Sequence, residues 1–205
     1  DEENNYSFHV IAEATTLCEI MAIPFEENFD EVSGLLPTCW ESIDNNSSGV
    51  EWSIGSFSNG IEGTTGDYLF FDVGTAMSTD SEIITSYMDF SGVDSPKISF
   101  KNYYRHRSNA AGYFYYSIDG GDSWVLVAKW EEDTNNYDLF SATIPELSNQ
   151  PLVLFKWRYT CLTAGYYWSI DDVSISSATS IESIFAKEQI KVFPNPFNNT
   201  MSIKG

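Results

Sequence analysis

The sequence predicts an all-β protein: an antiparallel jelly-roll β-sandwich of about ten strands, followed by a short C-terminal segment from a second β domain. Short stretches alternate between apolar and polar residues with period two, whereas helical periodicity is scarce. Clusters of Gly, Asn, Asp, Ser or Pro separate these stretches, as turns separate the strands of a sandwich. Hydrophobic residues make up 42% and aromatic residues 16% of the 205 residues, which is enough for a substantial core.

The candidate strands follow one another along most of the chain. Each carries β-branched or aromatic residues and ends at a turn-forming cluster. In chain order they are residues 24–29, 51–57, 68–73, 83–90, 97–105, 111–118, 124–130, 137–144, 152–160 and 166–175. We find no internal repeat of roughly 20–50 residues, so neither a propeller nor a solenoid is expected.

Composition changes divide the chain into four parts. Residues 1–22 are an N-terminal strand or the tail of an upstream module, and both readings stay open. Residues 23–176 form the sandwich, residues 177–190 a linker rich in Ser, Thr and Ala, and residues 191–205 the second β segment. In an exported protein the odd number of cysteines favours one disulfide and one thiol, but the sequence does not decide the pairing among Cys18, Cys39 and Cys161.

The charge of the chain limits its partners. Thirty acidic and ten basic residues give a formal net charge of −20. Such a protein repels the phosphates of nucleic acid and an anionic membrane surface. An apolar run of about 18 residues is also missing from the sequence, so we expect no membrane insertion.

The C-terminal residues carry the first resemblance to a known family. A strand-like segment, Lys191-Val192-Phe193, runs into Pro194-Asn195-Pro196, and a second alternating segment follows at residues 200–203. This pattern resembles the opening of the C-terminal sorting domain of type IX secretion substrates. The resemblance implies contact with the type IX secretion machinery, and a protein secreted from or anchored on a Gram-negative bacterium. We expect the sorting domain to be truncated and the chain to be a fragment of a longer protein.

Three separated pieces of residues 23–176 carry the second resemblance. They are an opening Phe25-Glu26-Glu27 followed by Cys39-Trp40, a middle segment at residues 88–100, and a closing segment at residues 167–173 that contains Ile-Asp-Asp-Val. In this order they resemble the MAM-like and cleaved-adhesin jelly rolls of secreted bacterial proteins. The resemblance implies non-catalytic recognition or adhesion outside the cell, with a glycan or a protein as ligand.

Calcium is the cofactor that this resemblance implies. It assigns the ligand role to Glu26 and Asp172, with weaker candidates at Glu27, Asp30, Asp44 and Asp171. Strand alternation sends Asp171 and Asp172 to opposite faces, so one of them interrupts an apolar face unless a β-bulge intervenes. A buried carboxylate needs a partner, which a structural Ca²⁺ would supply. The alternative is that these acids are solvated or hydrogen-bonded carboxylates of a very acidic protein.

The most basic patch of the chain is a candidate ligand-binding site. It consists of Tyr103, Tyr104, Arg105, His106 and Arg107. Tyrosine rings beside Arg and His suit stacking on sugar rings or binding of acidic groups. Tyrosines 113, 115, 166 and 167 could flank this patch. The alternative is that aromatic residues alternating along a strand are core on one face and ordinary surface on the other.

Catalysis finds little support in the sequence, and we predict that the protein is not an enzyme. Its two histidines, His9 and His106, lie far apart, and known nucleophile, zinc and phosphate motifs do not occur. The segment from Ser117 to Trp124 matches an Asp-box, which we interpret as a hairpin turn. The alternative function is a carbohydrate-binding module serving an attached glycoside hydrolase or peptidase. Two or three coplanar exposed aromatic residues on one sheet face would distinguish it from a plain structural spacer.

Overall fold

A computed structural model describes residues 18–32, 34–56, 66–74, 78–136, 138–177, 191–194 and 201–204. The strands in this part of the chain are β1 Met21–Ala22, β2 Phe25–Glu27, β3 Glu41–Asp44, β4 Ser53–Gly55, β5 Tyr68–Asp72, β6 Thr79–Ile84, β7 Met88–Asp89, β8 Pro96–Tyr104, β9 Ala111–Ser117, β10 Val125–Trp130, β11 Asp138–Thr143, β12 Leu154–Cys161, β13 Tyr167–Ser177, β14 Lys191–Pro194 and β15 Met201–Lys204. A single 3₁₀ turn, Pro145–Leu147, is the helical element among these residues. No helix in the described ranges has the length and apolar character needed to cross a bilayer.

Two antiparallel sheets form the sandwich. A five-stranded sheet has the order β10-β9-β12-β6-β3, and a six-stranded sheet has the order β11-β8-β13-β5-β4 with β2 beside the second half of β13. The short strands β1 and β7 pair in parallel at one margin. The predicted all-β antiparallel sandwich is therefore confirmed.

Alternation along the central strands builds the core between the sheets. In β8 every second residue is buried, and β12 sends Phe155, Trp157 and Tyr159 inward. These side chains meet Phe100 and Trp168 from the six-stranded sheet in one cluster of aromatic and aliphatic residues. Packed aromatic rings therefore join the two sheets and hold the strands that carry the exposed side chains.

The sequence prediction differs from the structure at two places near β6. The predicted strand 83–90 is two strands, because the hydroxyl of Thr85 accepts a hydrogen bond from the backbone N–H of Phe155 and donates one to the carbonyl of Ser86. The ladder of β6 with β12 ends at this point, and β7 begins separately and pairs with β1. Strand β3 was not predicted, because three of its four residues are polar and it gains its strand conformation from pairing with β6 at the sheet edge.

One disulfide joins Cys18 to Cys39, and Cys161 is a buried free thiol at the end of β12. The structure thereby decides the pairing that the sequence left open. Near the C-terminus, β14 and β15 pair with each other as an antiparallel ladder. Residues 1–17 of the predicted N-terminal part and almost all of the predicted linker lie outside the described residues.

Candidate functional site

A β-bulge interrupts β13 at its two neighbouring acidic residues. The register of β13 against β8 shifts between Asp171 and Ser174, and Asp172 has a backbone φ of 47°. The extra residue allows Ile170 and Val173 both to point into the core, where each is buried. The alternation conflict expected from the sequence is resolved by this bulge, which keeps both carboxylates off the apolar face.

Asp171 is the buried carboxylate of the bulge, with 3% of its surface exposed. Burial raises its pKa to about 7, and the negative charges of Asp172 and Asp30 act in the same direction. The backbone N–H of Asp172, which donates to the Oδ1 of Asp171 at 2.8 Å, and the positive charge of Lys101 oppose this rise in pKa. Asp172 is exposed and forms an ion pair with Lys101. Among the acids at the bulge, Asp171 is therefore the one whose negative charge a bound cation would stabilise most.

Strand β2 brings two more predicted ligands beside the bulge. Glu27 lies opposite Val173 and is half-buried, whereas the neighbouring Glu26 is exposed. A carboxylate oxygen of Glu27 accepts a hydrogen bond from the backbone N–H of Phe29 at 2.7 Å. Burial raises the pKa of Glu27, and the nearby charge of Glu31 adds to this rise. Glu27 is therefore, like Asp171, a carboxylate that burial partly removes from water.

The remaining two predicted ligands, Asp30 and Asp44, lie in different parts of the sandwich. Asp30 lies close enough to Asp171 to raise its pKa, and its Oδ1 accepts a hydrogen bond from the backbone N–H of Asp67 at 2.9 Å. Asp44 lies on β3 in the other sheet, where its carboxylate accepts a hydrogen bond from the backbone N–H of Gly49 at 2.7 Å. Asp44 therefore closes a local turn, and the structure does not bring it together with the other candidates.

Carboxylate oxygens are the ligands that the bulge offers to a cation. Ca²⁺ prefers carboxylate and carbonyl oxygens, and Asp171 supplies a buried carboxylate that Lys101 only partly offsets, with Asp30 nearby and Glu27 on the adjacent strand. Within the described ranges, no three His, Cys, Asp or Glu side chains converge as a ready metal site. An ion at the bulge would therefore draw part of its coordination from main-chain carbonyls or water.

A cavity of about 850 Å³ lies beside β2 and the bulge. Its apolar wall includes Phe25 and Trp40, and its charged lining includes Glu27 and Asp172. Cys39 of the disulfide also lines it, so the covalent link holds the chain that carries Trp40. The cavity therefore joins an aromatic wall to negatively charged groups.

The predicted patch around the end of β8 is divided between core and surface. Tyr104 is fully buried and packs against Tyr159 and Trp168, with ring centroids 5.9 and 5.7 Å apart. It is a core residue and has no surface with which to contact a ligand. Tyr103 points the other way and contacts Tyr167, with ring centroids 5.5 Å apart.

The basic residues of this patch have partners of their own. Arg105 forms an ion pair with Asp133 at 3.2 Å, and the backbone N–H of His106 donates to the same carboxylate at 2.7 Å. The guanidinium of Arg107 lies 5.2 Å from the ring centre of Tyr166. In the outward part of the patch, Arg105 is thus paired with a carboxylate and Arg107 with a tyrosine ring.

The outer face of the five-stranded sheet carries a second aromatic surface, which the sequence did not single out as a site. We call it the tyrosine face; its members are Tyr113, Tyr115, Trp124, Lys129, Lys156 and Arg158. Their neighbours Phe114 and Trp157 point inward and are fully buried, so alternation turns Tyr113 and Tyr115 outward. The two tyrosine rings are nearly parallel, at 22°, with centroids 6.0 Å apart.

The Asp-box is a hairpin turn that positions Trp124 on the tyrosine face. Asp119 accepts hydrogen bonds from the hydroxyls of Ser117 and Ser123 and from the backbone N–H of Ser123 at 2.9 Å. Gly120 and Gly121 have φ of 77° and 96°, which side-chain-bearing residues rarely adopt. Trp124 follows the turn, and the ammonium of Lys156 lies over its indole ring, 4.0 Å from the ring centre.

Comparison with solved structures identifies proteins that share this fold. The chain matches no family model and no curated protein sequence. The K1 cleaved adhesin domain of Lys-gingipain from Porphyromonas gingivalis W83 aligns with a TM-score of 0.56 and 19% identity, covering 75% of this chain and 97% of that domain. The K3 domain of the same protein aligns with a TM-score of 0.53 and 15% identity, covering 75% and 98%. The sandwich therefore shares the fold of the cleaved adhesin domains.

Proposed function

We propose that the protein is a non-catalytic recognition or adhesion module of a secreted or surface-anchored bacterial protein. The observation that carries this proposal is the tyrosine face, an outward band of half-buried aromatic residues and ion-paired side chains on a rigid sheet. Binding sites combine aromatic contact area with a few placed polar groups in this way. The adhesin-type sandwich supports the same reading, and its ligand would be an extracellular glycan or protein.

Acid–base catalysis is disfavoured by the position of Asp171, the acid whose pKa is raised most among the described residues. A catalytic acid or base must reach the proton that it transfers. Asp171, with a pKa near 7, would suit acid–base work, but it is 3% exposed and lies within the bulge. Its perturbed pKa is better explained by a structural role.

We further propose that Ca²⁺ fills this structural role. Asp171, Glu27 and Asp30 would hold the ion, and the exposed Glu26 and Asp172 would contribute at its margin. The bound ion would supply positive charge to a buried carboxylate and join β2 to β13. It would have no catalytic part.

Export by the type IX secretion machinery of a Gram-negative bacterium is proposed for the C-terminal segment. The support is the Phe193-Pro194-Asn195-Pro196 sequence and the pairing of Lys191–Pro194 with Met201–Lys204. In a bacterium with this secretion system, deleting residues 191–205 from the parent protein should retain it inside the cell. Unchanged secretion of the deletion variant would contradict the proposal.

The recognition proposal is tested with a binding array of matrix proteins, host-cell surfaces and polysaccharides probed with the fluorescently labelled chain. We expect saturable binding to at least one surface, without release of degradation products. The matched control is the Tyr113→Ala/Tyr115→Ala double variant at equal concentration. Equal signal from the double variant on every surface would contradict recognition through the tyrosine face.

A carbohydrate-binding module is the second candidate function. The observation that favours it is the presence of two half-buried tyrosines and a tryptophan on one sheet face. The tyrosine rings stack on each other at 22° and are therefore not the coplanar, exposed rings expected from the sequence. The same surface therefore serves both candidates, and they differ in the chemistry of the ligand.

A further inference from the structure

Strand register arranges the tyrosine face into rows that cross the sheet. One row consists of Lys129, Tyr113, Arg158 and Glu82, each directly opposite the next on β10, β9, β12 and β6. The adjacent row contains Tyr115, Lys156 and Ile84. Since neighbouring strands lie about 4.8 Å apart, each row presents a band of side chains across the sheet. The band has the extended form that suits a linear polymer.

Each cation of the tyrosine face is balanced by a carboxylate. The ion pairs are Lys129–Glu131 at 2.7 Å, Lys156–Glu82 at 3.1 Å and Arg158–Asp80 at 2.6 Å. The three positive and three negative charges cancel, and the exposed Glu41, directly opposite Ile84 on the edge strand β3, adds one negative charge to the same face. A polyanion would meet already neutralised cations and the repulsion of the rest of the protein.

Paired ions suit a ligand that carries many hydroxyl groups. A hydroxyl both donates and accepts, so it can donate to a carboxylate of one pair and accept from an ammonium or guanidinium. The Arg158 guanidinium is held by two hydrogen bonds to Asp80, at 2.7 and 2.6 Å, which fixes the remaining donor directions. The charge balance and the hydrogen-bonding groups together match an uncharged saccharide.

The polar groups of this surface are also held in place before any ligand binds. Lys156 is 7% exposed, and its ammonium lies between the ring of Trp124 at 4.0 Å, the ring of Tyr115 at 5.4 Å and Glu82. A fixed side chain loses little conformational entropy on binding. An ammonium lies over each tyrosine ring, Lys129 on Tyr113 and Lys156 on Tyr115, each 5.4 Å from the ring centre, so a sugar ring would stack on the remaining ring surface.

We infer that the tyrosine face binds a neutral polysaccharide chain, with Tyr113 and Tyr115 as stacking residues and the partly exposed Arg158–Asp80 pair as the hydroxyl-binding group. This inference rests on the proposed recognition function and names the ligand class of that surface. Trp124 is a positioning residue, because its contact with the Lys156 ammonium holds that side chain beside the ring of Tyr115.

Affinity electrophoresis of the full 205-residue chain tests the inference. The gels contain xyloglucan, glucomannan or mixed-linkage β-glucan as neutral polymers, alginate as a polyanion, or no polymer. We expect retardation in at least one neutral polymer and none in alginate. The Tyr113→Ala/Tyr115→Ala variant should lose roughly tenfold or more of the association constant, as a hot-spot residue does. The conservative Tyr113→Phe variant should retain stacking and most of the affinity.

Tyr166→Ala is the matched control, because Tyr166 is an exposed tyrosine outside the five-stranded sheet. It should bind like the wild type, and thermal melts establish that each variant is folded. Absence of retardation in all neutral gels, retardation in alginate alone, or an equal loss in Tyr166→Ala would overturn the inference. If the binding array then shows a protein ligand, the recognition function stands while the glycan inference fails.

Discussion

Replacing Trp157 with alanine is expected to lower the free energy of unfolding by about 3–5 kcal/mol, as truncation of a buried large aromatic residue does. Trp157 on β12 is fully buried and contacts Trp40, Phe100 and Phe114, with ring centroids 5.9, 5.4 and 5.0 Å away. Because Phe100 belongs to the other sheet, the alanine variant loses contacts that join both layers. Urea denaturation followed by circular dichroism measures the change.

Trp157→Phe provides the control for this prediction. It keeps an aromatic ring at the centre of the cluster and removes an indole N–H that has no hydrogen-bond partner among the described residues. We therefore expect a clearly smaller loss of stability than in the alanine variant. A loss below about 1 kcal/mol for Trp157→Ala would contradict the central position of this residue, since surface substitutions fall in that range.

Calcium is expected to raise the thermal stability of the chain, and Asp171→Asn is expected to abolish the effect. An ion that binds only the folded state stabilises it by about 2.7 kcal/mol at a hundredfold excess over the dissociation constant. For a chain of this size the corresponding rise in melting temperature is roughly 5–10 °C. Melts in EDTA, in millimolar Ca²⁺ and in millimolar Mg²⁺ measure it, and we expect selectivity for Ca²⁺.

Asp44→Asn is the matched control for the calcium prediction. It makes the same chemical change on β3 in the other sheet, so its response to Ca²⁺ should equal that of the wild type. Glu26→Gln should reduce the response less than Asp171→Asn, because Glu26 is exposed and Asp171 is buried. Failure of the wild type to respond, or a full response in Asp171→Asn, would contradict a structural calcium at the bulge.

Most strands of the sandwich could be predicted because their own residues alternate. Strand β8 alternates between buried and at least partly exposed residues over its whole length, a pattern visible in the sequence. Strand β3 does not have this property, because three residues of Glu41–Asp44 are polar and the strand depends on β6 for its hydrogen bonds. The break at Thr85 depends on a hydrogen bond to Phe155, a residue distant in the chain. Local pattern therefore predicts the sheet centres better than their edges and interruptions.

The sequence named the acids of β2 and β13 as candidate metal ligands, but it did not predict which of them are buried. The sequence favoured Glu26 and Asp172, which the structure leaves exposed, and gave less weight to Asp171, which it buries. Which of the two aspartates is buried depends on where the bulge shifts the register of β13 against β8. A register shift is a property of the paired strands, so the local sequence does not specify it.

The tyrosine face depends on long-range pairing that the sequence does not display. The sequence placed Tyr113 and Tyr115 beside Tyr103, but β9 and β8 belong to different sheets. The alternation of Tyr113 and Tyr115 with Phe114 was the available signal for one outward face. The neighbouring Lys129 and Arg158 join it only through the register of β9 with β10 and β12.

The most direct test of recognition through the tyrosine face is NMR spectroscopy of the chain labelled with ¹³C at its tyrosine rings. A neutral oligosaccharide, cut from whichever polymer retards the protein, is titrated into the sample. We predict that the ring resonances of Tyr113 and Tyr115 shift in a saturable manner, while those of Tyr103 and Tyr166 stay in place. Shifts confined to Tyr103 and Tyr166 would contradict the account and assign binding to the other sheet.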